Sequence, residues 1–235
     1  ALTTSGYANQ AGYFVEYPED ITMLGLGFST ATPRRGLLLS GELSHHFDFP
    51  FQRDLGNVFA ATLSPIQFSN ASGSPGSYGA SENVKGYTRL DRTQATLGVT
   101  QFLGPRLGAA QTTANADIAM VYVHDMPGND EQQLQATLPP GSSSWGYRVG
   151  ASLIYNGVFG GLTLVPSLFW THDVNGAAPA PLSTFLEDRQ SFTAGLGASF
   201  INQWTANLSY THFLNGSESL VKDRDLVRFR VSYTF

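Results

Sequence analysis

The last nine residues of the chain alternate without exception. Val227, Phe229, Val231, Tyr233 and Phe235 stand at the odd positions, with Arg228, Arg230, Ser232 and Thr234 between them. A period of two is the side-chain period of a β-strand, so this segment has one apolar and one polar face. The two arginines need water or partners on the polar side. Taken singly, such a strand fits a half-buried soluble sheet as well as a membrane.

The pattern recurs along the chain. Trp204, Ala206, Leu208 and Tyr210 alternate with polar residues, as do Phe192, Ala194, Leu196, Ala198 and Phe200. Further apolar rows are Leu162 to Trp170, Trp145 to Tyr155, and Ala116 to Tyr122. The predicted strands are 20–29, 36–46, 89–102, 115–125, 145–157, 161–172, 189–200, 203–214 and 225–235, with a possible extra strand at 8–17. Each is about ten residues or more, the length a tilted strand needs to cross a bilayer.

Composition points the same way. Charged residues are 13% and hydrophobic residues 42%, against about 25% charged in an ordinary soluble domain. Polar residues or glycine interrupt every apolar stretch, which excludes a run of about 18 residues suited to a membrane helix. Alternation reconciles low charge with modest hydropathy, because one face meets lipid and the other a polar lumen. The expected fold is therefore all-β: one antiparallel transmembrane β-barrel domain over residues 1–235, with about nine or ten strands, either alone or as part of a larger barrel.

The connections alternate in length. Phe159-Gly160-Gly161 and Ile201-Asn202 read as tight turns, whereas 126–144, 173–187 and 215–224 read as loops rich in Gly, Pro, Ser or Asp. Residues 66–87 form the longest loop, and 57–64 read as part of it rather than as a strand. With Phe235 at the periplasmic end, every long loop lies outside the cell. Trp145, Tyr147 and Trp170 then sit near the outer strand ends, and Tyr155, Trp204, Tyr233 and Phe235 near the inner ends, as two aromatic girdles. Nine strands conflict with the even number usual in bacterial barrels. Residues 8–17 supply a tenth, with a turn at Pro18-Glu19, or strands outside this chain complete the wall.

Several functions are disfavoured. The chain has no cysteine and a net charge of -5, so there is no thiolate metal site and nothing to suggest a nucleic-acid partner. Ala1 opens no signal peptide, as expected of a mature or trimmed chain. No Gly-x-Ser-x-Gly elbow occurs; an outer-membrane hydrolase is an alternative, but no catalytic residue, cofactor or metal is expected. His45, His46, His124, His172 and His212 cluster near outer strand ends. Alternate strands lie about 10 Å apart, too far for a shared zinc ion without loop folding. Glu42, Asp117, Arg148, Arg189, Arg228 and Arg230 fall on the polar face. They line an open lumen or pair across it and plug it.

Local patterns carry a resemblance. They are Glu16-Tyr17-Pro18-Glu19-Asp20-Ile21 followed by Gly25 and Phe28, then Leu39-Ser40-Gly41-Glu42, Phe49-Pro50-Phe51-Gln52, Gly86-Tyr87-Thr88-Arg89-Leu90-Asp91 and Val123-His124-Asp125-Met126-Pro127. From about residue 12 onward, the chain resembles the carboxy-terminal half of a proteobacterial outer-membrane family catalogued as a domain of unknown function. The resemblance implies an additional chain or an amino-terminal half that completes the barrel. It also implies recognition of Tyr233 and Phe235 by barrel-assembly machinery, and a periplasmic lipoprotein and an inner-membrane exporter of the resistance-nodulation type as partners. The expected role is transport of a hydrophobic or lipid-like small molecule across the bacterial outer membrane, in contact with membrane lipid. A plugged structural or adhesive protein with functional outer loops is the alternative.

Overall fold

Side chains that alternate in polarity cannot bury a helical stripe, and the chain answers with strands. The computed structural model describes residues 11–32, 36–63, 78, 82–128, 133–182, 184–201, 203–215 and 224–235. Nine strands form one antiparallel sheet in sequence order: β1 (Met23–Thr32), β2 (Leu37–Gln52), β3 (Tyr87–Arg106), β4 (Ala109–Val123), β5 (Ser143–Ile154), β6 (Leu162–Asn175), β7 (Gln190–Phe200), β8 (Trp204–Asn215) and β9 (Leu226–Tyr233). All nine predicted strands are present, several of them longer than expected. Of the possible extra strand at 8–17, residues 8–10 lie outside the described residues. Residues 11–17 form no strand. Instead this segment leans over the loop end, where the Tyr87 hydroxyl bonds to Glu16 Oε1 and Arg89 bonds to the Glu19 carbonyl.

The register sets the slope of the strands. The row that starts at Leu37, the turn end of β2, passes Gln101, Ala114, Ala151, Leu168 and Ala194 and reaches Tyr210. Tyr210 stands six residues above Trp204, the turn end of β8. Six strand steps therefore cost six residues, which at about 3.3 Å per residue and 4.8 Å per strand inclines the strands by about 35°. The same rows separate two faces. One carries Leu26, Leu43, Leu97, Ile118, Leu168, Leu196, Leu208 and Phe229, all strongly exposed. The other carries Ser40, Glu42, Thr96, Asp117, Arg148, Thr193, Asn207, Arg228 and Arg230.

Glycine lets rings lie flat on this sheet. A Cβ on Gly150 would stand 2.2 Å from Phe169 Cδ1, so the ring of Phe169 rests on bare backbone. β1 pairs only with β2 and β9 only with β8 among the described residues, and every residue of both is exposed.

Short connections lie at one end of the sheet and long ones at the other. The longest holds a helix, α1 (Leu55–Leu63), within the segment expected to be loop. Asp54 caps it by accepting a bond from Asn57 N through Oδ1 at 2.9 Å, satisfying one of the free first-turn donors. The buried core is small and sits at the loop end of the polar face: Phe51, Val121, Val123, Leu134, Ala178 and Phe185.

Candidate functional site

A β-bulge prepares the mouth of the polar face. Between His46 and Phe49, β2 has one residue more than β3 opposite. Asp48 takes φ 52° there, and its backbone N–H bonds to Asp91 Oδ1 at 2.9 Å. An extra residue switches which side chains point inward. Phe49 and Phe51 therefore turn onto the polar face, where unbroken alternation would have put Asp48 and Pro50.

Loops close over these two rings. Gln52 N donates to the Ala180 carbonyl at 3.0 Å, Ala180 N to that of Gln135 at 2.7 Å, and Gln135 N to that of Gln52 at 2.8 Å. Three distant segments are thus tied in one ring of main-chain bonds. Leu134, Ala178 and Phe185 descend from this tie onto Phe51, Val121 and Val123. Asp173, only 4% exposed, anchors the loop that follows β6. Its Oδ2 accepts from Leu186 N at 3.1 Å and from Arg189 Nε at 2.8 Å, and forms an ion pair with Arg189 Nη2 at 2.6 Å.

Arg92 lies beneath that cover, on β3 at the edge of the apolar cluster. It is 8% exposed. One face of its guanidinium lies 3.9 Å from the centroid of Phe49, and Nη2 contacts His46 Nε2 at 3.2 Å. Arg92 Nε, Arg92 Nη1 and His46 Nδ1 are buried without a hydrogen-bond partner.

The predicted lumen residues separate into two levels. Counted along the strands with the slope above, Glu42, Asp117, Arg148, Arg228 and Arg230 all stand about four to six residues above the turn end. The acids are on β2 and β4, the bases on β5 and β9. Arg148 lies directly opposite Asp117 in register but stacks on Phe169, 4.0 Å from its centroid. Arg189 stands apart, at the loop end with Asp173. Tyr233 and Phe235 lie at the turn end, their rings 5.4 Å apart, with Tyr233 against Trp204 at 4.7 Å.

The histidines divide by face. His45, His172 and His212 share the apolar face at one level, about eight residues up the slope. His124 lies beside His45, with Thr93 Oγ1 bridging its Nε2 (2.8 Å) and His45 Nδ1 (3.0 Å). Neighbours in sequence are parted in space, since His172 points to the apolar face and Asp173 to the mouth. Among the described residues no three His, Asp or Glu side chains are grouped to hold a metal ion. His212 is tied instead to Asp225 at 2.8 Å, and Tyr210 donates its hydroxyl to the same carboxylate. The Tyr210 hydroxyl, and then His212, hold the Asp225 carboxyl below its ordinary range.

Sequence reasoning missed the mouth: Phe49, Phe51, Arg92 and the loop tie. The usable signal was Phe47-Asp48-Phe49-Pro50-Phe51, too aromatic for an open loop.

No curated protein and no solved structure matches the chain. A family match covers residues 1–235, the described strands and mouth together with the segment before β1. The chain therefore belongs to the family described as protein of unknown function DUF1302.

Proposed function

We propose that this chain forms a wall of an outer-membrane β-barrel that takes part in moving a hydrophobic or lipid-like small molecule across that membrane. The observation that carries the reading is the continuous apolar face. Between the aromatic level at Trp204 and Tyr233 and that at Trp145 and Tyr147 it rises about 20–25 Å along the slope, the height of the lipid-facing band of such barrels. Its tilt of about 35° is that of strands in closed barrels. An apolar face of this extent is costly in water and favourable in lipid.

The open edges support a larger wall. β1 and β9 run in the same direction, because nine antiparallel strands separate them inclusively. Direct closure would be parallel, and so would two copies joined edge to edge. An antiparallel seam needs an odd number of further strands, supplied by additional polypeptide.

A passage for a hydrophobic molecule is favoured by the apolar mouth, which is covered by loops and not by the sheet. The same cover also favours the second reading, a plugged structural protein with functional outer loops. Reconstitution separates them. Purified protein should require detergent, and in liposomes should speed entry of a fluorescent hydrophobic probe over protein-free vesicles. Recovery of a folded, detergent-independent monomer sinks the membrane reading. Membrane insertion without any probe flux sinks transport and leaves the plug.

A further inference from the structure

A buried cation normally has an anion beside it, since desolvation without a partner costs several kcal/mol. Among the described residues Arg92 has no carboxylate within ion-pair distance. Its carboxylate neighbours in the sheet are absent: across the strand pairs stand His46 and Val123, and its own neighbour Asp91 turns to the bulge and to His45. The Asp173 carboxylate at the same mouth is engaged through Oδ2 by Arg189 and Leu186 N. What surrounds Arg92 is apolar: Phe49 against its face, Val123 opposite, and the Phe51, Val121 and Phe185 cluster beside Phe49. Two of its three nitrogens have no acceptor, and His46, which contacts the third, has its other ring nitrogen unpartnered.

The geometry points to a binding site for a hydrophobic carboxylic acid at the mouth of the polar face. Its carboxylate would accept a charge-assisted hydrogen bond from Arg92 Nη1 or from Nε, which lie on different edges of the guanidinium. Its apolar body would replace Leu134, Ala178 and Phe185 against Phe49, Phe51 and Val121. Those three come from loops, so they can be displaced without opening the sheet. Arg92 thus adds a polar end to a site whose remaining walls accept hydrocarbon, the composition of ligand pockets that fix orientation with few polar groups. A neutral hydrophobic molecule would leave both nitrogens unpaired and be discriminated against. The inference rests on the transport reading and narrows its cargo to acids.

The test uses the detergent-solubilised full chain with dodecanoate and dodecan-1-ol, which share an alkyl chain and differ in the head. Calorimetric titration above neutral pH should show dodecanoate binding at least about tenfold more tightly. Arg92→Met, which keeps length and removes charge, should abolish the preference and leave alcohol binding unchanged. Without ligand it should raise Tm, because an unpaired buried charge is gone; this also checks that the variant folds. Arg92→Lys should keep part of the preference. Equal binding of acid and alcohol, or a preference that survives Arg92→Met, overturns the acid site while leaving hydrophobic cargo in place. Binding of neither overturns both.

Discussion

Asp173 and Arg189 meet at 2.6 Å where β6 leaves the sheet and β7 enters it. The carboxylate is nearly buried and the guanidinium about one-third exposed. This pair, with Leu186 N on the same oxygen, closes the loop that covers the mouth.

The two partners are unequal, and their removal should be too. Arg189→Ala strands a buried carboxylate and should destabilise the loop by about 3 kcal/mol or more. Asp173→Asn keeps an acceptor and leaves a guanidinium that water can reach, so its cost should be about 1–2 kcal/mol. Hydrogen exchange of residues 176–189 should rise in that order. Equal protection in both variants would show that the pair does not anchor the cover.

Phe169 lies on Gly150, and Arg148 lies on Phe169. A methyl at Gly150 would meet the ring at 2.2 Å and the Leu168 carbonyl at 2.7 Å. Gly150→Ala should therefore cost about 1–3 kcal/mol through overpacking. Adding Phe169→Leu should recover only part of it, because the carbonyl clash remains. Unfolding midpoints in detergent measure both.

Phe229 and Arg228 are consecutive residues on opposite faces, at about mid-height. If the apolar face meets lipid, Phe229→Arg should cost about 2–4 kcal/mol in folding into bilayers. Arg228→Glu should leave stability nearly unchanged and shift the cation-to-anion permeability of any open lumen toward cations. Similar penalties for both substitutions would contradict the assignment of faces.

Asp225 ties the start of β9 to Tyr210 and His212 on β8. Its carboxyl is held below the ordinary range by the Tyr210 hydroxyl first and by His212 second. A depressed carboxyl contributes stability above its unfolded value, near pH 4, and loses it as pH falls through the lower folded value. The advantage of the native protein over Asp225→Asn should therefore be present at neutral pH and vanish in strong acid. Protection of the Leu226 and Val227 amides against exchange, followed across pH, would reveal it. A difference that persists at low pH would rule out the ionised carboxylate as its source.

The strands were legible because their information is local. Val227 to Phe235 states its two faces within nine residues, and the same period repeats in β5 to β8. The tight turns and the end of the sheet that carries the loops follow from spacing alone. α1 was not legible as a helix, because Asn57 to Leu63 is short and lies in a segment whose neighbours are polar. Residues 8–17 read as a possible tenth strand, yet residues 11–17 form none: Glu16 holds to Tyr87, and Glu19 beyond it to Arg89.

From the sequence by itself came an all-β chain with one apolar and one polar face, Arg228 and Arg230 on the polar one, and loops gathered at one end. A period of two needs only neighbouring residues, so it survives without knowledge of the fold. The mouth was decided by tertiary structure alone. One extra residue near Asp48 turned Phe49 and Phe51 inward, and contacts between Gln52, Gln135 and Ala180 drew two loops onto the end of β2. Those contacts join residues tens of positions apart and follow no period, so no local pattern announces them.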